Sequence, residues 1–434
     1  MKLKKSFLVL VVFLLVASFV GAAGAKEKEQ GSKDVTLTIY ARAYTFAQDA
    51  PWEIAKAELQ RRHPDVKFTF IEEGFGWADM RTKFLTSSAG GTPPDVMMSD
   101  IIWLGEFVEN DLITDVTKRA EEWDEWSDVV ETYKNATMWN NKVYGTWINT
   151  DVRVLVYNKD LFRANGLDPD KPPKTWDDLT RMAKQLTKAP DYYGFGFPAT
   201  LEDEGVMKFY ANLFSIGGTI LNEDNTKATF NTAKGVAAME ALTNLVREGS
   251  TPTSIVSGKA SDIDNGVFQG KFAMATMTKS YGLATSLIPG MTPEIYKDKF
   301  GVAPIPYAPN GVPSTMAGGY LLTIPTGSKN KDYAWELITI AAGAKAQFEY
   351  TSARGYVPTF NSLMARGDDY VEVDPYFSVI LDQLPFANFR PSIPEWTEIS
   401  AEIQNAFQAC VLGRMSAKEA LDLAALNVNQ ILAE

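Results

Sequence analysis

Apolar residues recur along the chain with two periods, and segments of one period alternate with segments of the other. Short runs in which apolar and polar residues alternate, rich in β-branched residues, predict strands at 35–40, 66–71 and 95–100. Longer runs with apolar residues three and four positions apart predict helices at 51–62, 79–88 and 101–110. This alternation favours βαβ units, in which a largely parallel sheet carries helices on both faces.

The same two patterns continue through the rest of the chain. They predict strands at 152–157, 193–197, 273–277, 301–306 and 320–324. They predict helices at 176–186, 206–214, 233–247, 265–272, 331–341 and 344–352, and a long helical run after Pro394. A length of 434 residues fits two or three domains or two large lobes, and we interpret the strand at 152–157 as a crossing between lobes.

The N-terminal residues have the order of a secretory signal peptide. A positive segment with Lys2, Lys4 and Lys5 precedes an apolar run at 7–20 and a segment of small residues at 23–25. This order predicts a signal peptide at 1–25 that is cleaved after Ala25, followed by a disordered, charged linker at 26–33. An uncleaved N-terminal anchor is the alternative. The leader contains no cysteine to acylate, so we expect an exported periplasmic or extracellular protein that is not a lipoprotein.

Charge and the rare residue types argue against several classes of function. The chain has 54 acidic and 42 basic residues, which argues against nucleic acid and anionic membranes as partners. The one cysteine, Cys410, lies in an apolar helical segment and is expected to be buried, whereas the one histidine, His63, is expected in an exposed turn. A His-based triad and a zinc site are therefore not expected. No phosphate loop, dinucleotide fingerprint, calcium loop or nucleophile elbow occurs, so we expect no metal and no cofactor.

Aromatic residues are numerous, and several stand beside polar residues at predicted strand ends. The chain has 24 Phe, 17 Tyr and 10 Trp. Aromatic faces stack on the C–H faces of sugar rings, while carboxylates, amides and arginines bind hydroxyl groups, so this combination points to a carbohydrate ligand. Ligands of open α/β sheets bind beyond the carboxyl ends of the strands. The candidate residues there are Arg42, Tyr44, Trp77, Asp100 and Trp103.

Further candidates lie later in the chain. Trp147, Asn149 and Asp151 stand at the predicted crossing, where the alternative interpretation is a hinge strand with a salt bridge. Tyr281 follows a predicted strand, and Tyr320 follows the pair Gly318-Gly319. Arg354 and Arg390 lie in loops with prolines and aromatic residues nearby. Taken alone, a tyrosine of this kind is more often a core residue, and an arginine of this kind more often forms a surface salt bridge.

Nine short segments, in order along the chain, resemble the family 1 extracellular solute-binding proteins. These proteins are the sugar-binding subunits of ABC importers and include maltose- and trehalose-binding proteins. The segments are GTPPDV (91–96), NKVYG (141–145), LVYNKDLF (155–162), PKTWDDL (173–179), FQGKFAM (268–274), APIP (303–306), GGY (318–320), NKDYAW (330–335) and GYVP (355–358). Each segment alone is a weak signal, but their ordered sum covers essentially the whole chain after the leader.

The resemblance implies an α/β protein with the two-lobed, type II periplasmic-binding-protein fold. In that fold each lobe is a mixed sheet flanked by helices, hinge strands join the lobes, and sugar is held in the cleft between them. The resemblance implies a first lobe of residues 34–148 and about 306–345. It implies a second lobe of residues 149–305 and about 346–434.

Carried over position by position, the resemblance gives several candidates a place in this cleft. Asp100 and Trp103 would line the edge of the first lobe, and Asn149 and Asp151 would lie beside the crossing strand. Arg390 resembles a cleft arginine of the trehalose and maltose branch.

Other positions depart from the family pattern. Tyr281 stands where relatives often have a sugar-stacking tryptophan, and Gly319 with Tyr320 matches a Gly-Gly-Trp segment. Trp147 stands where relatives usually have proline. These departures leave the identity of the sugar open.

The expected function is that of a non-enzymatic carrier. An exported, monomeric protein would capture a mono- or oligosaccharide between its lobes, close about a hinge near residues 148–151, and deliver the sugar to the membrane permease of an ABC importer. Two alternatives remain at this point. One is a secreted glycosidase, which needs two carboxylates at a defined separation. The other is a periplasmic subunit that binds sugar for a sensor.

Overall fold

The computed structural model describes residues 33–47, 50–278 and 280–434. The predicted signal peptide and all of the predicted linker except Lys33 lie outside these described residues, so the leader stays a prediction. Lys33 itself begins the first strand. Among the described residues, no helix combines the length and the apolar character needed to cross a membrane.

Strands in the described residues form two principal sheets and one short hairpin. They are β1 (Lys33–Arg42), β2 (Val66–Phe75), β3 (Val96–Asp100), β4 (Met138–Trp139), β5 (Lys142–Val143), β6 (Thr146–Val152), β7 (Val154–Asn158), β8 (Met274–Met277), β9 (Phe300–Ala303), β10 (Thr315–Thr323) and β11 (Ala387–Asn388). The first sheet has the order β2-β1-β3-β10-β6, and β11 pairs with the start of β10. The second sheet has the order β8-β7-β9, and β4 with β5 forms the hairpin.

The first sheet is mixed and forms the centre of the first lobe. β1, β2 and β3 run parallel, whereas β10 runs antiparallel to both β3 and β6. β3 is buried along its whole length because it lies between β1 and β10 with helices packed around it. β2 pairs only with β1, and its exposed positions fit the edge of a sheet.

The second sheet is built around β7. β8 and β9 both run antiparallel to β7, and single parallel bridges join Tyr193 to Phe272 and Gly196 to Ala275 beside β8. All residues of β7 are buried, which fits a strand that lies between two neighbours inside a lobe. The two sheets and their helices therefore give an α/β protein with two lobes.

Helices follow or separate nearly all of these strands. The first six are α1 (Ala43–Ala47), α2 (Ala50–Arg62), α3 (Trp77–Ala89), α4 (Leu104–Glu109), α5 (Thr117–Glu121) and α6 (Glu131–Ala136). The next seven are α7 (Lys159–Ala164), α8 (Trp176–Leu186), α9 (Asp203–Ser215), α10 (Ala233–Arg247), α11 (Ala260–Phe268), α12 (Tyr281–Leu287) and α13 (Pro293–Lys299). The last seven are α14 (Lys331–Ala341), α15 (Ala344–Arg354), α16 (Asn361–Met364), α17 (Gly367–Val373), α18 (Phe377–Leu381), α19 (Trp396–Val411) and α20 (Ala417–Ile431). Short 3₁₀ helices lie at Ile101–Trp103, Asp124–Asp128, Thr253–Val256 and Leu384–Phe386.

Each lobe has its own helix packing. In the first lobe α2 packs against α14 and α15, and the rings of Phe84 in α3 and Phe107 in α4 lie 4.8 Å apart. In the second lobe α9, α10, α19 and α20 pack against one another. α15, which the predicted lobe bounds assign to the second lobe, contacts α2 and β6 of the first lobe and also α12, and β11 pairs with β10.

The chain passes between the lobes at several points that the strands define. β6 in the first sheet continues through Arg153 into β7 in the second sheet. The segment after β9 returns to β10, and the segment after β11 leads into α19. The Thr315 hydroxyl donates to the Arg153 carbonyl oxygen at 2.6 Å, which ties the first crossing to the second.

Three helices have the bounds that the sequence predicts. The helices predicted at 176–186, 233–247 and 331–341 have those bounds in the structure. The Thr175 hydroxyl accepts the Asp178 backbone N–H at 3.2 Å, which is the N-cap that begins α8.

Several strand predictions are wrong in ways that the backbone explains. No continuous strand is present at 193–197, because Tyr193 and Gly196 form only single bridges to Phe272 and Ala275 and the Phe195 N–H between them donates to the Ser250 carbonyl. The strand predicted at 301–306 ends at Ala303, directly before Pro304, which has no N–H to donate. The strand predicted at 320–324 begins earlier, at Thr315, and the helix predicted at 265–272 occupies Ala260–Phe268.

The two rare residues have different outcomes. The prediction that Cys410 is buried is confirmed. His63 follows α2 as expected but is only half exposed, because its Nε2 lies 2.9 Å from Oε2 of Glu336 and its ring packs edge-on against Tyr333. The prediction of an exposed turn is therefore wrong about the exposure of His63.

Gly319 is a position where only glycine fits without a shift of the backbone. Its φ of +138° lies in a region that side-chain-bearing residues rarely adopt. A Cβ at this position would lie 2.4 Å from the Asn149 carbonyl oxygen in the neighbouring strand β6. The close pairing of β10 with β6 therefore requires glycine here.

We expect Gly319→Ala to lower the free energy of unfolding by about 3 kcal/mol, because it combines backbone strain with a collision against β6. Urea denaturation of the purified protein measures this loss. Gly413→Ala is the matched control, because Gly413 also has a positive φ, of 66°, but no atom lies within 4 Å of the added Cβ. The control should lose only about 1 kcal/mol. Equal losses in the two variants would show that the contact with β6 is unimportant.

Candidate ligand-binding site

Asp100 ends β3 at the carboxyl edge of the first sheet, where the sequence predicts a ligand. Its Oδ2 accepts the indole N–H of Trp77 at 2.8 Å. Its Oδ1 accepts the backbone N–H of Ile102 at 3.3 Å and an Nη2–H of Arg390, also at 3.3 Å. Asp100 is buried, so these bonds replace the water that a carboxylate otherwise needs.

Tyr320 stands between two polar residues of neighbouring strands. In the antiparallel pairs it lies opposite Asp100 of β3 on one side and opposite Asn149 of β6 on the other. Directly opposite residues of an antiparallel pair point to the same face of the sheet, so the three side chains lie side by side. Tyr320 is half-buried and Asn149 is fully buried.

The amide of Asn149 has no hydrogen-bond partner among the described residues. Neither its Oδ1 nor its Nδ2 is bonded, although both atoms are shielded from solvent. A buried amide without partners costs about 1–3 kcal/mol, which makes Asn149 a candidate contact for a polar ligand.

Charged groups converge above Gly318 of β10, which lies opposite Asp151 of β6. A Cβ at Gly318 would lie 3.3 Å from Asp151 Oδ1, 3.4 Å from Arg153 Nη1 and 3.5 Å from Arg390 Nη2. The Arg153 Nη1–H donates to Asp151 Oδ1 at 2.8 Å. The missing side chain at Gly318 therefore leaves room for two arginines and a carboxylate over the sheet.

The second lobe contributes the first turn of α9. The Arg390 Nη1–H donates to Asp203 Oδ2, and the Ser400 hydroxyl of α19 donates to Asp203 Oδ1. The Arg153 Nη2–H donates to Glu204 Oε2 at 2.7 Å. The Lys208 ammonium, one turn further along α9, donates to Glu204 Oε1.

These bonds form two sets, one around Arg390 and one around Arg153, which meet above Gly318, and we call their seven ionisable groups the interlobe charge network. They are Asp100, Asp151, Arg153, Asp203, Glu204, Lys208 and Arg390. Arg390 follows β11 in the first lobe and reaches Asp203 in the second, so it connects the two lobes directly. No cluster of metal-binding side chains occurs in the described part of the chain.

Burial and neighbouring charge act in opposite directions on the acids of the network. Burial raises the pKa of Asp151 despite the attraction of Arg153. Burial also acts to raise the pKa of Glu204, but attraction to Arg153 and Lys208 outweighs it and lowers that pKa. Burial opposes the charge of Arg390, but Asp203 and Asp100 together raise the pKa of its guanidinium. The arginines and Glu204 are therefore held in their charged forms.

The structure brings most of the predicted ligand residues to this region. The network includes the predicted residues Asp100, Asp151 and Arg390, and Asn149, Gly319 and Tyr320 lie beside it on β6 and β10. Trp77 binds Asp100, and Trp103 packs on Trp77 with ring centroids 5.3 Å apart. Arg42 and Tyr44 lie at the same carboxyl edge, at the end of β1 and in α1.

Three predicted residues lie away from the network. Trp147 is fully buried and donates its indole N–H to the Tyr133 carbonyl oxygen at 2.8 Å. Tyr281 begins α12 and packs against Tyr296, and Arg354 ends α15.

Sequence reasoning did not select the acids and the lysine that the second lobe contributes. The helix predicted at 206–214 begins three residues earlier, at Asp203. The prediction therefore placed Asp203 and Glu204 in a loop before the helix. The spacing of Glu204 and Lys208, four residues apart on one helix face, is the signal that was present.

Most of the chain matches one protein family. Residues 46–348 match the family described as bacterial extracellular solute-binding protein. The chain belongs to this family. Its members are substrate-binding components of ABC transporters, so the resemblance recognised in the sequence is confirmed.

Three relatives span nearly the whole solute-binding chain. A binding protein of Brucella abortus (strain 2308) is 28% identical over 421 residues, covering 96% of this chain and 97% of the relative. A galactooligosaccharide-binding protein of Bacillus subtilis (strain 168) is 24% identical over 440 residues, covering 98% and 97%. A crystal structure of a solute-binding protein from Thermotoga lettingae TMO, bound with alpha-D-tagatose, has a TM-score of 0.82 and 28% identity, covering 92% of this chain and 99% of that chain. The predicted type II periplasmic-binding-protein fold is confirmed.

Asp374 is a further buried carboxyl group, near Tyr281 and outside the network. Its Oδ1 accepts the backbone N–H of Tyr376 at 2.9 Å, and its buried Oδ2 has no partner among the described residues. Burial raises the pKa of Asp374 to about 6. The folded protein therefore retains a proton here that the unfolded chain releases near its ordinary pKa of about 4.

We expect Asp374→Asn to stabilise the protein at neutral pH but not at pH 4. Between about pH 4 and pH 6 the folded wild type binds more protons at this group than the unfolded chain, so its stability falls as pH rises. Asparagine does not titrate and keeps the oxygen that accepts from Tyr376. The difference in unfolding free energy between variant and wild type should grow across this window to about 3 kcal/mol at most. Denaturation curves at several pH values measure it, and a pH-independent difference would contradict the expectation.

Proposed function

We propose that this protein captures a sugar between its two lobes and delivers it to the permease of an ABC importer. The observation that carries the proposal is the interlobe charge network. In it, Arg390 pairs with Asp100 of the first lobe and with Asp203 of the second lobe. Asn149 and Tyr320 lie beside this network on β6 and β10. Membership of the solute-binding family supports the same function.

The chemistry of these side chains suits hydroxyl groups. Carboxylates accept hydrogen bonds from hydroxyls, arginine N–H groups donate to them, and an amide does both. Tyr320 and Trp77 add aromatic surface that suits the C–H face of a sugar ring. The relatives named with galactooligosaccharide and tagatose ligands support a carbohydrate ligand.

Ligand binding would be coupled to lobe closure because the network draws on both lobes. Arg390 contacts Asp203 only when the second lobe lies against the first. A sugar that bonds to groups on both sides has more contacts in the closed state and shifts the population toward it. The crossing at Arg153 and the return through Thr315 would serve as hinges.

The remaining parts of the proposal concern location and assembly. The predicted signal peptide would export the chain, its cleavage after Ala25 would release it, and the lack of a leader cysteine would leave it free of lipid. The protein would act as a monomer without catalytic activity and would meet the permease in its closed form. A glycosidase would differ by releasing a cleaved product. A sensor subunit would differ by binding a receptor instead of a permease.

A thermal-shift screen of the exported chain against mono- and oligosaccharides tests the proposal. A sugar at 100 times its dissociation constant should add about 2.7 kcal/mol to the unfolding free energy. Product analysis by chromatography of the same mixtures separates a carrier from a glycosidase. The absence of a shift with every sugar, or the appearance of cleaved sugar, would contradict the proposal.

Asn149→Leu separates a ligand-binding role of the amide from a structural one. Leucine has a similar size and no polar atoms, so replacement of an unbonded buried amide should leave the free energy of unfolding unchanged or raise it. Loss of the amide should lower the affinity for the sugar that gives a thermal shift by about tenfold or more. Calorimetric titration measures this affinity. Unchanged sugar affinity, or a large loss of stability, would show that the amide serves the fold instead.

A further inference from the structure

Every cation of the interlobe charge network already has a carboxylate partner. The pairs are Arg390 with Asp100 and Asp203, Arg153 with Asp151 and Glu204, and Lys208 with Glu204. The network therefore contains four carboxylates and three cations and carries an excess of one negative charge. An incoming anion would therefore enter a site whose cations are already neutralised and whose net charge is already negative.

The start of α9 offers an anion no alternative position. The N-terminal end of a helix attracts anions through its unbonded N–H groups and its dipole. In α9 the first turn carries Asp203, which is buried against Arg390, and Glu204, which bonds Arg153 while 28% of its side chain stays exposed. The positive end of this helix is therefore already next to two negative charges of its own.

Burial makes the charge balance decisive for the ligand. Asp203 is 4% exposed and Arg153 and Arg390 are each 6% exposed, so water screens these charges weakly. A phosphate group carries about −1.5 to −2 charges at neutral pH, and a buried charge without a counterion costs several kcal/mol. Hydroxyl groups can accept from the arginines and donate to the carboxylates without any change in net charge.

We infer that the interlobe site binds an uncharged polyhydroxyl ligand and rejects the phosphate ester of the same ligand, and that Asp203 and Glu204 set this preference. The inference rests on the proposed function and specifies the class of sugar that the site takes. Asp203 acts by neutralising the charge of Arg390, and Glu204 acts by neutralising the charges of Arg153 and Lys208.

The first arm of the test compares matched derivatives of one ligand. The probes are the sugar with the largest thermal shift, its methyl ethers and its phosphate esters, each pair substituted at the same hydroxyl. Calorimetric titration of the wild-type exported chain at pH 7.5 gives the affinities. We expect each phosphate ester to bind about 100-fold more weakly than the methyl ether at that position. A phosphate ester that binds as tightly as its methyl ether would overturn the inference.

The second arm removes the negative charges one at a time. Asp203→Asn and Glu204→Gln keep the shape of each side chain and leave an arginine with less counter-charge. Each should improve the affinity of a phosphate ester relative to the parent sugar by about tenfold. Asp332→Asn is the matched control, because Asp332 is an exposed acid whose partner is Arg119 and its loss removes the same charge far from the network. The control should leave the ratio unchanged.

The outcomes separate this inference from the proposed function. If a neutral sugar binds but neither variant gains affinity for a phosphate ester, the roles of Asp203 and Glu204 are refuted and the carrier function stands. If the control variant gains as much as the two network variants, overall charge rather than the network sets the preference, which also refutes them. If no neutral sugar binds to the wild type, both the inference and the proposed function fail.

Discussion

Charged side chains can lie between two lobes only when each has a partner, because a buried ion without one costs several kcal/mol. This constraint governs the structure around Arg390. The guanidinium bonds Asp100 of the first lobe and Asp203 of the second, and the Ser400 hydroxyl completes the bonds of Asp203. Loss of one member of such a set leaves the others buried and unpaired. The network therefore favours one relative position of the lobes over others.

The backbone elements that hold these charges have to be placed with matching accuracy. β3 ends at Asp100, and β10 passes between β3 and β6, so that Asp100, Tyr320 and Asn149 lie in one row. The glycine pair before Tyr320 serves two purposes in this row. Gly318 leaves room for Asp151, Arg153 and Arg390, and Gly319 lets β10 approach β6. The ligand site thus depends on strand pairing in the first lobe as much as on the charges themselves.

The parts of the fold that were predictable are those with local signals. α8 has a threonine cap and an apolar face, and its bounds agree with the prediction. The segment at 193–197 has the composition of a strand, but it forms only single bridges, at Tyr193 and Gly196, and the Phe195 N–H between them donates to Ser250, which is distant in sequence. His63 was expected in an exposed turn because it follows a predicted helix and precedes a predicted strand. Its partner Glu336 is 273 positions away and could not be foreseen from the neighbouring residues. Long-range partners of this kind leave no local pattern.

The candidate site was predictable on its first-lobe side and not on the other. Asp100 follows a buried strand, and strand ends of an open sheet mark the ligand side, so residue order alone points to it. Asp203 and Glu204 lie at a helix start, where acids are common for reasons of the helix dipole alone. Only the folded chain shows that they face Arg390 and Arg153. Trp147, by contrast, stands in the predicted crossing, but its ring fills the core beside Tyr133.

The central claim is that a ligand binds between the lobes and stabilises their contact through the network. Small-angle X-ray scattering of the exported chain, with and without a saturating concentration of the responding sugar, tests it most directly. The account predicts that sugar lowers the radius of gyration of the wild type, and that Arg390→Ala keeps the larger value at the same sugar concentration. The same radius of gyration with and without bound sugar would contradict the account.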